Sequence, residues 1–374
     1  MAQKFDTSLA DSQATLVDPV APEQFDFDMY ADYEKSFHKR CSSFWQADSG
    51  VLVYRRMRVA EVFSYDSKEM KKSLEWQLGA LRKSMNYKAD IPNFLEPWYG
   101  IGTVAGAYGA NYYWADGQAP VTKPLFQSVT DALNHNPSPI ASASIGKHTL
   151  EMIEYFMDKT KGKLPVSFTD TQSPLNSACN IVDISNFMMD TVMSPESVKQ
   201  LLDQIAGLLI GFTREQIDLI GSNLVRPGHG FASSREFDGI GISDDNILML
   251  AGNSYLDLAA PSLEKFGGAF GEPVFHSCGD WSDRIKVVKQ IKGLKMVDGA
   301  FSEETDPGYN PAEPFNAFAN TGIVVEARIV GNAETVIRKV GKLWKPGMKL
   351  IIVTYCKTPE EQEIVYDQIH QICQ

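Results

Sequence analysis

Positive charge is what this chain most clearly lacks. Its formal net charge is -12 over 374 residues, which excludes the basic footprint of a duplex nucleic-acid binder and attraction to an anionic membrane surface. Cysteine is sparse: the five residues Cys41, Cys179, Cys278, Cys356 and Cys373 are too scattered for the disulfide framework of a small secreted domain. No run of about 18 apolar residues offers a membrane span. The N-terminus has no apolar stretch behind a basic start, so no signal peptide is visible and a cytoplasmic protein is expected. The glycines Gly100, Gly102 and Gly106 are spaced one residue too long for a dinucleotide fingerprint and lack its strand-to-helix context. Internal repeats and low-complexity tracts are absent.

What is present is ordinary globular composition, 44% hydrophobic and 22% charged, with a strand-helix alternation that is clearest in the final third. Strands are expected at 294–300, 322–330 and 350–355, each followed by a helix, at 312–320, 333–343 and 359–372. Upstream, helices are expected at 28–46, 67–85 (with Ser67 as N-cap), 146–159, 194–219 and 244–266, and strands at 164–170 and 224–226. Repeated strand-helix units imply a parallel sheet with right-handed crossovers. The expected fold is therefore α/β, a single (β/α)8 TIM barrel over 46–374 behind an N-terminal extension, 1–45. Residues 1 to about 22 read as a loosely packed arm. The basic cluster Arg55, Arg56, Arg58 reads as a solvated face or ion-paired turn.

The run PVFHSCGD, Pro273–Asp280, carries the chemistry. It reads as a strand ending in His276 and Cys278, two residues apart and so on one side. Imidazole nitrogen and thiolate sulfur both suit zinc. Cys356 also ends a strand-like run, KLIIVTYC. Barrel chemistry gathers at the C-terminal ends of strands, so closure of the barrel would bring Cys356 toward His276 and Cys278. Glu303 or Glu304, after the intervening strand, could add a replaceable oxygen ligand. Such an open site is the arrangement of a catalytic zinc. The aromatic-rich stretch Phe94–Trp114 suits a pocket mouth.

The motifs Gly239–Asn246 (GIGISDDN), Tyr255, Pro261 and Phe275–Asp280 (FHSCGD), with Asp170, Ser173-Pro174-Leu175 and Val330-Gly331-Asn332, resemble the uroporphyrinogen decarboxylase superfamily. The likeness spans roughly residues 90–372 and is greatest to the methylcobalamin:coenzyme M methyltransferase branch. That resemblance implies a (β/α)8 barrel with His276, Cys278 and Cys356 as zinc ligands and Glu303 as the displaceable one. It further implies a partner protein carrying the corrinoid (methylcobalamin) and a thiol acceptor activated as a zinc thiolate. The decarboxylase's Arg-x-x-Gly-Arg signature for porphyrin carboxylates is not reproduced.

The expected function is zinc-dependent methyl transfer between a corrinoid protein and a small substrate, most simply a thiol. The alternative is a corrinoid-dependent O-demethylase taking methyl from a methoxylated aromatic, with zinc as Lewis acid on the ether oxygen. Rivals are a non-catalytic zinc- or tetrapyrrole-binding barrel and a decarboxylase-like lyase. Catalytic candidates are Glu303, Asp170 and Tyr255. Gln172, His229, Arg235 and Glu326 are further pocket candidates. A homodimer is compatible with the sequence, and no nucleic-acid or membrane partner is expected.

Overall fold

The final third of the chain folds as its alternating pattern requires. Six strands form one all-parallel sheet: β1 (Gly50–Arg55), β2 (Ile240–Ser243), β3 (Pro273–His276), β4 (Met296–Ala300), β5 (Val324–Ile329) and β6 (Lys349–Thr354). Their spatial order is β1-β6-β5-β4-β3-β2. The structure is a computed structural model that describes residues 13–115 and 118–374. The helices Ala333–Leu343 and Pro359–Ile372 start where the sequence places them. Asn332 caps the first by accepting from the Thr335 N–H, and Thr358 caps the second by accepting from the Glu361 N–H. Those bonds satisfy donors that a helix start leaves orphaned.

The wall between β1 and β2 is closed by extended segments joined through single parallel bridges, Leu95 to Val166 and Val166 to Leu224. The Asp90 N–H donates to Val53 O at 2.8 Å on the β1 side, and the Gly241 N–H to Pro227 O at 2.9 Å on the β2 side. Prolines explain why no full strands form here. Pro92, Pro97, Pro165 and Pro227 each withhold a ladder donor close to these bridges. The strand expected over 164–170 is thus reduced to a bridge at Val166. Strand-helix units begin at Gly50, Leu95, Val166, Ile240, Pro273, Met296, Val324 and Lys349, which is the eightfold alternation of the barrel.

Alternation along each strand divides the apolar residues between two cores. Leu52, Val274, Met296, Val324 and Ile351 share a cluster inside the barrel. Val53, Phe275, Val297, Val325 and Ile352 belong to the larger cluster between the sheet and the helices. The interior cluster includes Cys41 and Phe44 from the helix His38–Gln46, so the N-terminal helices pack onto the barrel's own core.

Three local expectations are corrected. The segment before residue 22 is packed over its described part: Val20 is fully buried, the Thr15 N–H donates to Arg58 O, and the Val20 N–H to Glu75 O. Residues 1–12 lie outside the described residues. Ser67 is not an N-cap, because Tyr65–Lys68 forms its own 3-10 turn and the helix Met70–Ser84 follows Glu69. The basic cluster is not a solvated face: Gly50–Arg55 is a barrel strand, and Arg55 and Arg56 are buried.

Candidate metal centre and substrate cavity

Above the apolar floor, the inward positions of the sheet turn polar. The register aligns Ser243 with His276, His276 with Asp298, and Asp298 with Glu326. Two residues further on, the same faces carry Cys278 after β3 and Arg328 on β5. On β1 the inward series Leu52 and Tyr54 continues to Arg56 and Arg58. A ring of ionisable groups therefore sits on the apolar plug at the C-terminal end of the barrel.

His276 is held from behind. Its Nδ1 pairs with Asp298 Oδ2, and the Arg328 guanidinium donates through Nε to both Asp298 oxygens at 3.0 and 3.1 Å. Burial penalises the Asp298 carboxylate, but Arg328 and His276 outweigh it and hold the carboxyl below its usual range. Burial likewise opposes the His276 imidazolium, yet Cys278 and Asp298 push its pKa well up. The other ring nitrogen, Nε2, lies 3.4 Å from Cys278 Sγ and 3.9 Å from Asp245 Oδ1. The Cys278 N–H donates to that same Asp245 oxygen at 2.7 Å. Asp245, His276 and Cys278 bring their donor atoms within 4.8 Å of one another, the one such group among the described residues. A nitrogen, a sulfur and an oxygen with an orienting carboxylate behind the histidine fit zinc, and three protein ligands leave a position open.

The sequence reading and the structure differ over the remaining ligands. Cys356 and Glu303 are outside this group. Cys356 follows the parity of Leu350 and Ile352, so its side chain packs in the outer core under the helices, where burial pushes the thiol up to about 12. Tyr355 takes the inward parity. Glu303 is exposed in the turn after β4. Tyr255 is fully buried and donates to Asp244 Oδ2 at 2.7 Å, so it braces the loop next to Asp245 without lining the cavity. Arg235 pairs with Glu34 at 2.7 Å and ties an N-terminal helix to the barrel. Glu326 lies in the ring and accepts the Ala232 N–H. Burial, then Asp298, raises its carboxyl well above the usual range.

Asp170 does face the cavity. A space of about 1040 Å³ opens over the ring, lined by Arg56, Arg58, Phe63, Trp98, Asp170, His229, Phe231, His276, Asp298 and Arg328. The Trp98 Nε1–H donates to Asp170 Oδ2 at 3.1 Å and the Gln172 amide to Asp170 Oδ1 at 2.8 Å. The Asn176 amide continues this chain, donating to Gln172 Oε1 at 3.0 Å and to Asp245 Oδ2 at 3.3 Å. One line of side-chain amides thereby fixes Asp170 relative to the metal candidate Asp245. The residues missed in the sequence are Asp245, Asp298, Glu96, Arg56, Arg58 and Arg328. Strand parity was the available signal for Asp298 and for the three arginines.

Among the described residues, no helix is long and apolar enough to cross a membrane. The uroporphyrinogen decarboxylase (URO-D) family profile matches residues 96–226. A search of curated proteins finds no match. Among solved structures, a methyltransferase from Methanosarcina mazei superposes with a TM-score of 0.62 at 13% sequence identity, covering 90% of this chain and 98% of that one. The matched segment holds Glu96, Trp98, Asp170 and Gln172, and the superposition extends the shared fold over nearly the whole barrel. The family profile thus matches the segment 96–226, and the superposition shows the same fold over 90% of the chain.

Proposed function

We propose that the chain is a zinc-dependent methyltransferase that moves a methyl group between a corrinoid carried by a partner protein and a small substrate. The observation that carries this reading is the convergence of Asp245, His276 and Cys278 at the barrel mouth, with Asp298 fixing the histidine. Zinc held there would act as a Lewis acid on a substrate oxygen or sulfur in its open position. The chain's own residues supply the rest. Asp298 and Arg328 keep Nε2 of His276 aimed at the ligand group. Phe63, Trp98 and Phe231 give the cavity apolar walls, which seat a flat substrate and exclude water around it.

The cavity favours a methoxylated aromatic donor over a small thiol acceptor. At about 1040 Å³ it lies at the top of the range for drug-sized ligands, and a two- or three-carbon thiol would leave most of it wet. The donor set supports the same direction. One thiolate, one imidazole and one carboxylate put less sulfur charge on the metal than the two cysteines expected from sequence, and so leave it more acidic toward an ether oxygen. The thiol reading is supported by the closeness of Cys278 and His276.

The test is metal analysis followed by spectrophotometric methyl-transfer assays in both directions. Methoxybenzenes are offered with a cob(I)alamin-loaded corrinoid protein, and thiols with methylcobalamin. Zinc near one per chain and transfer from a methoxybenzene are expected. Carefully prepared protein that binds no zinc would refute the reading.

A further inference from the structure

A second cluster of ionisable side chains faces the same cavity and is not used by the metal candidate. His229 Nδ1 lies 3.0 Å from Glu96 Oε1, and its Nε2 lies 3.4 Å from Asp170 Oδ2. All three side chains are nearly buried, with 12–14% of their surface exposed. The loop that presents the ring is built for one conformation. Gly228 and Gly230 on either side have φ of 122° and 84°, which other residues rarely adopt. The Gly230 N–H donates to Glu96 at 3.1 Å and the Gly230 carbonyl accepts from Arg56 at 3.3 Å. Glu96 stays ionised: burial raises its pKa, but Arg56, His229 and the Gly230 N–H outweigh burial and bring it to about 2.

We propose that His229, lying between Glu96 and Asp170, is the proton carrier of the cavity, exchanging its Nε2 proton with the substrate oxygen. The 3.4 Å separation from Asp170 is too long for a strong hydrogen bond, so a third partner can share that proton. Nε2 faces the space that Trp98 and Phe63 wall, where an aromatic ring would sit. Asp170 is itself fixed by Trp98 and by the amide line through Gln172 and Asn176 to Asp245. The acid therefore has a set position relative to the metal candidate, as general acid catalysis requires.

This role rests on the aromatic-donor reading. As the aryl ether C–O bond breaks, its electron pair stays on the aryl oxygen. A corrinoid carried by the partner protein would accept the methyl group, its cobalt(I) supplying the electron pair of the new bond. The oxygen then takes the Nε2 proton and leaves as a neutral phenol, and solvent re-protonates the imidazole. Charge balance closes without a further reactant.

The test uses 4-nitrophenol as a product mimic whose colour reports its own ionisation. It is titrated into the purified protein above the dye's pKa, with proton uptake followed by loss of phenolate colour and by calorimetry in two buffers of different ionisation enthalpy. Wild type should take up about one proton per molecule bound, and His229→Gln should take up none while keeping its zinc content. Undiminished uptake in His229→Gln would overturn the proposal. Should that variant fail to fold, Asp170→Asn keeps the histidine. The groups facing His229 are Glu96 and Asp170, with Arg56 on Glu96 and Arg58, Glu61 and the Asp298–Arg328–His276 group lining the same space. Loss of the carboxylate that positions the ring should diminish the loss of phenolate colour on binding, and undiminished colour loss overturns the proposal. Failure of the dye to bind wild type would refute the aromatic-donor reading and this role with it, an outcome distinct from binding with unaltered uptake.

Discussion

Replacing Asp298 by Asn separates two functions that its carboxylate performs together. The Asp298 side chain is 2% exposed and that of Arg328 12%, and Arg328 is its ion-pair partner. On the other side the same carboxylate holds Nδ1 of His276. Asn keeps one oxygen for the two donors and turns its NH₂ toward one of them. The guanidinium is then left buried beside a neutral amide. Removing one partner of a buried pair costs about 3–5 kcal/mol, and this variant should lie toward the lower end because the amide oxygen still accepts one bond. His276, the candidate ligand, simultaneously loses its orienting carboxylate, a change that should lower metal affinity by about 10- to 100-fold. The double variant Asp298→Asn/Arg328→Gln tells the effects apart. It removes the orphaned charge, so chemical denaturation should recover most of the lost stability. Zinc affinity, measured by competition with a chromophoric chelator, should stay low because nothing has been returned to Nδ1. The reasoning is refuted if the double variant regains wild-type zinc affinity, or if Asp298→Asn never loses it.

Three further outcomes follow from the same geometry. Asp245→Ala and Cys278→Ser should each lower bound zinc well below one per chain, whereas Cys356→Ser, altering a thiol in the outer core, should leave it unchanged; metal analysis of the three variants checks this, and zinc loss in Cys356→Ser would restore the ligand set expected from sequence. Glu326→Gln should flatten the pH dependence of stability: because the folded-state pKa is raised above the ordinary 4.5, the wild-type carboxyl lowers stability progressively as pH rises from about 4.5 toward that folded pKa, and the amide cannot titrate. Asp90→Asn should weaken the acid limb instead. Burial raises the Asp90 pKa, but bonds from His370 and Tyr366 bring the carboxyl below 3.8, so its contribution is present above that value and lost as pH falls through the folded pKa. The variant should lose about 2–3 kcal/mol at neutral pH, read by denaturation at several pH values.

How much of this was legible in the sequence turns on one rule, that side chains alternate along a strand. His276 and Cys278 were legible because they are two apart and continue the inward series from Val274. Applied to the last strand, the same count from Ile351 passes through Val353 to Tyr355 and leaves Cys356 on the outer face with Leu350 and Ile352. A strand end attracts attention to whichever cysteine it carries, but a slip of one residue reverses the face. Arg56 and Arg58 obey the same alternation. Taken as a cluster, Arg55, Arg56 and Arg58 look like a solvated face; taken by twos from Leu52, Arg56 and Arg58 are interior and Arg55 is exterior. The structure agrees: Arg55 donates through Nε to Cys356 O at 2.8 Å, while Arg56 and Arg58 line the cavity.

Asp245 belongs to another class, since counting along its own strand gives its side but not its neighbour. It sits two residues past Ser243, and Ser243 pairs with His276. Only the register between β2 and β3 therefore sets it opposite Cys278, two residues past His276. Register between parallel strands joined by a helical crossover is fixed by packing of the intervening chain, here the helices Gly252–Leu258 and Ala260–Gly268, and no short-range pattern encodes it. Glu96 shows the same limit, and so does its meeting with Asp170 and His229, two residues the sequence did single out, because their segments meet through isolated bridges and a glycine-flanked loop where strand periodicity has already lapsed. The candidate ligands that share a strand were thus within reach of the sequence. Contacts made across strands required the closed barrel, and these include the meeting of Glu96 and Asp170 on either side of the proposed proton carrier.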